Sequence, residues 1–338
     1  MKKFYKNKVK DLFRPGYYFF KDVFDFSGKK RLRKNIELKD LHKGKKVFLL
    51  LTGESLQQID IKKLSDEYTF GTGFIFLHND IGKINLNFYM NPEPSKSFNP
   101  SNTNWPGSLD PLGSEGIITF YKEIDKRLGN KTTLILNSDN YKYIDINNLF
   151  KGKTRYFVKG KKDLHVVERV PYETIADLTR RSISGGGSAF FSILIMMYMG
   201  FKEIYLCGAG YTYDPVYMYH FYDNFVFPKS MGRQKAEVEA KKAIEARNSE
   251  VGAKLEYYGL FEKDDFYRSI CVIRKDHDPH KDKHRILNNY AKSQGVKIYN
   301  IIPDGFESPI YERVSWREVE SKVLLDNSKN KVKKGSEK

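Results

Sequence analysis

Cysteine is nearly absent. The 338 residues hold two, Cys207 and Cys271, each inside an apolar run and without paired spacing. That excludes a disulfide framework and a zinc ribbon, and it suits a reducing cytoplasm. Proline is sparse at 12 residues, while 40% of the chain is hydrophobic and 14% aromatic, so neither a low-complexity nor a collagen-like chain fits. No uncharged apolar run reaches about 18 residues, and no apolar core ending in small residues opens the chain. The protein is therefore expected neither to cross a membrane nor to be secreted. Two glycine-rich signatures are missing as well. The turn after the first apolar run lacks the three-glycine dinucleotide fingerprint, and Gly-x-x-x-x-Gly-Lys-Ser/Thr occurs nowhere, which disfavours NAD enzymes and P-loop kinases.

What is present is cationic charge, unevenly placed. Lys and Arg number 59 against 42 Asp and Glu, a formal net of +17. Residues 1–46 carry 16 Lys and Arg against 5 Asp and Glu, so +11 of the excess sits there. Phe13, Tyr17, Tyr18, Phe19, Phe20, Phe24 and Phe26 are interleaved with it, a mixture suited to an anionic membrane surface or another polyanion. The expected location is cytoplasmic, peripheral to the inner face of the membrane. A solvated segment packed on its own domain is the plainer alternative. No recognised nucleic-acid motif accompanies the charge, so nucleic acid is not an expected partner. The chain divides into a basic aromatic N-terminal extension at residues 1–45, a main domain at 46–320 and a disordered basic tail at 321–338.

From residue 47 onward, short apolar runs alternate with helical patterns, the order expected of an α/β fold: a Rossmann-like, mostly parallel sheet with helices on both faces. Strands are expected at Val47–Leu51, Tyr68–Phe76, Leu86–Met90, Thr132–Leu136, Arg155–Val158, Glu203–Leu206 and Val296–Tyr299. Their β-branched and aromatic content without polar alternation suits strands covered on both faces. Helices are expected near Ser55–Ser65, Gly113–Arg127, Ser188–Met199, Gln234–Lys254 and Lys281–Ser293. Residues 93–110, with Pro94, Pro100 and Pro106, read as a loop over a cleft, and residues 211–232, rich in Tyr and Phe without a clean period, as a lid-like insertion.

Two segments could carry chemistry. The first strand runs into Thr52-Gly53-Glu54-Ser55 and then an amphipathic pattern, where an α/β sheet offers backbone N–H groups and a positive helix end to an anion. Ser55 is also a plausible helix N-cap, so an ordinary strand-to-helix turn is the alternative. The second is Arg181-Ser182-Ile183-Ser184-Gly185-Gly186-Gly187-Ser188, followed by an apolar helix and the strand into Cys207-Gly208. Small residues at a helix start let a ligand approach the backbone, and Arg181 could pair with a phosphate.

These segments carry a resemblance. Leu51 to Asp60, LTGESLQQID, is similar to the Gly-Asn-Gly-Pro-Ser-Leu…Asp opening of bacterial family 42 sialyltransferases. Arg181 to Gly208 resembles that family's Arg-x-Thr-Ser-Gly helix and Gly-Tyr-Lys-Glu-Ile-Tyr-Leu-x-Gly strand, and Asn91-Pro92 and Gly295–Asn300 match in order. Related hydroxymethylpterin diphosphokinase-like proteins share both blocks. The resemblance implies a GT-A-like variant of the Rossmann sheet. It also implies inverting transfer of sialic acid, or a related nonulosonic or Kdo-type sugar, from a CMP donor, with no cofactor and no metal. The acceptor would be a hydroxyl of a cell-surface glycan or glycolipid, as in lipopolysaccharide or capsule biosynthesis. On that pattern Thr52, Gly53, Ser55, Asn91, Ser184 and Gly185 surround the nucleotide, with Asn79 replacing another donor-site asparagine; Tyr211, Tyr213 and Arg181 steady the leaving phosphate. The base is His280, with His277 close behind. Two positions depart from the pattern: Thr52 replaces Asn, which loses an amide fork, and Gly210 replaces Asp.

The histidine segment has a second reading. Asp276-His277-Asp278-Pro279-His280…His284 approaches metal-ligand spacing, although Pro279 leaves only His280 and His284 one turn apart. An Mg-dependent diphosphokinase using Asp276 and Asp278, or a polyanion-binding module, are the competing functions. His220 is an alternative base or acceptor contact, and assembly as a homo-oligomer stays open.

Overall fold

The computed structural model describes residues 26–92, 114–161, 176–183, 187–210, 279–302 and 307–324. In chain order the strands are β1 (Lys46–Leu50), β2 (Thr69–Thr72), β3 (Phe88–Asn91), β4 (Thr133–Asn137), β5 (Arg155–Val158), β6 (Gly160–Lys161), β7 (Ser182–Ile183), β8 (Glu203–Cys207), β9 (Lys297–Ile301) and β10 (Glu312–Val314). The helices are α1 (Phe26–Arg33), α2 (Ser114–Arg127), α3 (Tyr141–Ile146), α4 (Ser188–Tyr198), α5 (Pro279–Ser293) and the single turn α6 (Trp316–Glu318).

Eight strands form one sheet in the order β10-β9-β8-β1-β2-β3-β4-β5, and every neighbouring pair is parallel. The expected α/β, Rossmann-like class is what the chain adopts. Alternation explains why its strands read as unbroken apolar runs. In β1, Phe48 and Leu50 enter one hydrophobic cluster while Val47 and Leu49 enter the other; in β8, Tyr205 and Cys207 divide from Ile204 and Leu206 in the same way. One cluster lies under α2 and the short turns that follow β1 and β2; the other lies under α4 and α5.

The chain winds outward from β1 through β2, β3, β4 and β5, then returns to place β8 on the opposite side of β1. That reversal makes the carboxyl ends of β1 and β8 a topological switch point, the place where an open α/β sheet leaves a crevice. α4 makes the return journey as an almost wholly buried helix, its residues from Ala189 to Tyr198 all covered. Its last carbonyls are capped from a distance: Asp40, His42 and Gly44 donate their N–H groups to Tyr198, Met199 and Gly200. Gly200 is required there, since its φ is +89° and a Cβ would meet the Lys43 Cα at 2.9 Å.

Several elements differ from the sequence reading. The helix expected at Ser55–Ser65 is two short 3-10 turns, Glu54–Gln58 and Ile61–Leu64, because Ile59 is extended and the Asp60 carboxylate accepts the Lys62 N–H to open a new turn. The long strand expected at Tyr68–Phe76 ends at Thr72, where Gly73 at φ +63° turns the chain; Ile75, Phe76 and Leu77 stay buried in a 3-10 turn. From residue 26 the basic segment lies on the fold, as the plainer of its two readings has it, with Leu32 and Leu38 buried and Asn35 fully enclosed. At the other end, a π-helical turn runs to Leu324, with Val319 buried and Lys63 paired to Glu320 at 2.6 Å. The expected helix at 234–254, the loop at 93–110 and the lid at 211–232 lie outside the described residues.

Candidate functional site

β1 and β8 stay joined past their formal ends. Leu51 donates its N–H to the Cys207 carbonyl and Gly53 donates to the Gly208 carbonyl, both at 2.8 Å. The two turns interlock at this point. A Cβ on Gly53 would clash with the Gly208 carbonyl and stand 2.9 Å from the Gly210 nitrogen, while a Cβ on Gly208, itself at φ +83°, would stand 2.9 Å from the Leu51 oxygen. What comes near Gly53 in this structure is the neighbouring turn. The structure brings Thr52-Gly53 and Gly208-Ala209-Gly210, about 155 residues apart in sequence, into direct contact.

Ser55 is not a helix cap. Gly53 holds the cap position of the Glu54–Gln58 turn, and Ser55 lies within it, 2% exposed, its Oγ without a hydrogen-bond partner among the described residues. A buried hydroxyl left unpaired costs roughly 1–3 kcal/mol, so such groups are uncommon away from functional sites. Thr52 is half-buried, and its Cγ2 lies 3.8 Å from where a Cβ on Gly73 would sit. Gly73 therefore faces Thr52 across the tips of β1 and β2. The Gly73 carbonyl is held by the Tyr89 hydroxyl at 2.6 Å, and burial pushes the Tyr89 phenol well above its ordinary pKa, keeping it a neutral donor.

Polar residues continue along the same edge. Asn91 closes β3 and is buried. The Asn137 amide donates to the Pro92 carbonyl, and its oxygen accepts the Asp139 N–H at 2.8 Å. Ser138 is buried with an Oγ that has no partner among the described residues, and Lys159, just past β5, reaches Asp139 at 3.5 Å with 5% of its side chain exposed. None of Gly73, Asn137, Ser138 or Lys159 was singled out from sequence. For Asn137 and Lys159 the available signal was local: each directly follows a buried apolar run, where a parallel strand delivers its first polar residue to the carboxyl edge. Asn79 does not hold such a place, since it lies in an exposed turn seven residues beyond the end of β2.

Two helices begin at this edge. α4 follows Gly187, its cap residue, and runs antiparallel to β8; Arg181, half-buried, is placed just before β7, which pairs with β6. α5 has 15 residues, a length of about 22 Å, and its end at Ser293 feeds β9 at the level of Glu203. Asn288 donates to the Ile310 carbonyl, His284 meets the Tyr311 hydroxyl through Nδ1 at 2.5 Å one turn higher, and His280 is one turn higher again. The helix start is thus level with the carboxyl ends of β8 and β9. His284, 3% exposed between the Phe190 and Tyr311 rings, is turned into the core. Among the described residues no cluster of three or more His, Cys, Asp and Glu could hold a metal. Cys207, beneath the crevice, has its thiol pushed far up by burial and is inert.

Of the residues expected from sequence, Thr52, Gly53, Ser55, Asn91 and Arg181 lie at or beside this edge, and the backbone of His280 lies in the first turn of the helix that begins there. His277, Tyr211, Tyr213, Ser184 and Gly185 lie outside the described residues, as do Asp276, Asp278 and His220.

No family model matches the chain, and no curated protein does. Among solved structures, the sialyltransferase CstII from Campylobacter jejuni in complex with cytidine-5'-monophosphate aligns at 16% identity, covering 81% of this chain and 86% of that one, with a TM-score of 0.36. The same enzyme with CMP-3FNeuAc aligns at 16% identity over 80% and 85%, TM-score 0.33. A substituted form with CMP aligns at 16% over 80% and 86%, TM-score 0.38.

Proposed function

We propose that the chain is an inverting glycosyltransferase. It takes sialic acid, or a related nonulosonic or Kdo-type sugar, from a CMP donor and delivers it to a hydroxyl of a glycan or glycolipid acceptor. One observation carries the reading: the motif turns after β1 and β8 meet at the switch point, beside a buried serine hydroxyl with no partner among the described residues. The nucleotide lies along Thr52, Gly53, Ser55 and Asn91 and against the Ser184-Gly185 segment. Ser55 Oγ gains there the hydrogen bond it lacks. Thr52, with one hydroxyl in place of an amide fork, reads the cytidine through a single group.

His280, or His277 beside it, takes the proton from the acceptor hydroxyl as that oxygen bonds to the anomeric carbon; imidazole suits this step because its ordinary pKa lies near neutrality. The bond from the anomeric carbon to the phosphate oxygen breaks with inversion, and its electron pair leaves on CMP. Arg181, Tyr211 and Tyr213 stabilise that growing negative charge, with the backbone N–H groups at the start of α4. The groups named supply charge and proton transfer without a metal.

Thermal unfolding with CMP, UDP, GDP and ATP·Mg2+ tests the reading, since a ligand held only by the folded state raises the midpoint. CMP is expected to raise it most. A shift with ATP·Mg2+ and none with CMP would replace the transferase with the diphosphokinase. His280→Ala is expected to abolish transfer and leave the CMP shift intact; transfer at the normal rate would remove His280 from its role.

A further inference from the structure

The segment from α1 to β1 has an inner side fixed by strong contacts and an outer side of a different chemistry. Inside, the Asn35 amide donates to the Phe157 and Leu178 carbonyls at 2.7 Å each, Leu32 and Leu38 are buried, and three backbone N–H groups cap α4. The orientation of the segment on the body is therefore set. Outside, Ile36 is 59% exposed and Leu41 54% exposed. Only one other large apolar side chain among the described residues, Ile146, is comparably exposed. Two of three within six residues is a concentration, and no described residue covers them.

The surroundings are cationic. Residues 29–46 hold nine Lys and Arg against Glu37 and Asp40, a net of +7. Lys30, Arg33, Lys34, Lys39, Lys43 and Lys45 are all exposed, and none makes an ion pair with a described residue. Glu37 is already engaged by the Tyr156 hydroxyl at 3.0 Å, and the Lys34 ammonium lies over the Tyr156 ring. Exposed isoleucine and leucine gain nothing from a hydrated polyanion such as nucleic acid, whose phosphates satisfy the lysines alone. An anionic bilayer satisfies both: its headgroups attract the lysines and its acyl boundary takes the apolar side chains.

We propose that residues 30–45 form a preformed docking surface for an anionic lipid bilayer, with Ile36 and Leu41 as the inserting side chains. The surface is structurally independent of the nucleotide reading. It also differs from a disordered basic tether, because the contacts of Asn35 and the α4 cap hold the protein in one orientation on the lipid.

The test is sedimentation of the full chain with vesicles of phosphatidylcholine alone and of phosphatidylcholine with phosphatidylglycerol. Binding to the second and not the first is expected. Ile36→Ser with Leu41→Ser keeps every charge and should weaken partitioning at least about tenfold, given the free energy of burying apolar groups at an interface. Lys39→Gln with Lys43→Gln should weaken it by roughly fivefold per lysine and less at high salt. Both pairs are exposed, so unchanged thermal unfolding confirms that the fold is intact. Absence of binding to the anionic vesicles overturns the proposal. So does full retention by the Ile36 and Leu41 variant, which would make the surface a plain polyanion binder. Neither outcome bears on the CMP shift.

Discussion

Ser55 and Gly53 are two residues apart and predict opposite responses to substitution. Ser55→Ala removes a buried hydroxyl that has no partner among the described residues, so the unliganded protein is expected to be as stable as the parent or more stable by up to about 1 kcal/mol. Its CMP-induced thermal shift should shrink. Equilibrium denaturation and the nucleotide titration measure both, and a clear loss of stability without nucleotide would show that the hydroxyl has a structural bond. Gly53→Ala places a methyl against the Gly208 carbonyl and should cost about 2–4 kcal/mol, because the atoms in the way are backbone of the facing turn and cannot yield as a side chain would. A neutral Gly53→Ala would mean the two turns are not interlocked. The glycine itself was readable from the sequence; its partner was not, because Gly208 arrives from far along the chain.

At the scale of elements, α1 and the turn after it are held by one side chain more than any other. Asn35→Ala leaves the Phe157 and Leu178 carbonyls unpaired in a closed space, and a loss of about 2–3 kcal/mol in denaturant unfolding is expected. A loss below about 0.5 kcal/mol would indicate that residues 26–45 rest loosely on β5. The charge of this segment suggested an extension in the sequence, since lysines dominate the count; the residues that face inward, Leu32, Asn35 and Leu38, recur every third position, but the middle one is polar and the run is short, so they give little apolar signal. The opposite holds for β5, whose bounds at Arg155–Val158 match the expectation because a buried apolar run between polar turns can do little else. Between these cases stand residues 55–65, where apolar spacing suggested one helix and a single Asp60 side chain divides it into two turns.

For the whole molecule, acid is expected to destabilise through two histidines. His42 lies among the rings of Tyr68, Phe88 and Phe201, and burial, with nearby Lys45, lowers its pKa. His78 is lowered by burial against a smaller opposing effect of Asp80. Both folded pKa values lie below the ordinary 6.5, so as pH falls through that value the unfolded chain takes up protons first. Well above the ordinary 6.5 these groups contribute no pH dependence, and stability should fall as the pH drops through that value towards the lowered folded-state pKa values. His42→Phe keeps a ring in the stack and should flatten part of that decline; an identical profile in the variant would assign the acid sensitivity elsewhere.

The residue pattern alone determined the class of the fold, the two-sided covering of the strands and the places where polar groups follow them, since each of these depends on neighbours only a few positions away. The turn at Thr52, Gly53 and Ser55 was marked by the pattern, and Asn91 by the family resemblance. Tertiary structure decided which turns meet. That β8 returns beside β1, that Gly208 fills the space Gly53 leaves open, that Gly73 stands across from Thr52 and that His284 faces Tyr311 are consequences of strand order. Strand order is selected by the joint burial of both sheet faces along the entire chain, a sum that no local window of sequence contains.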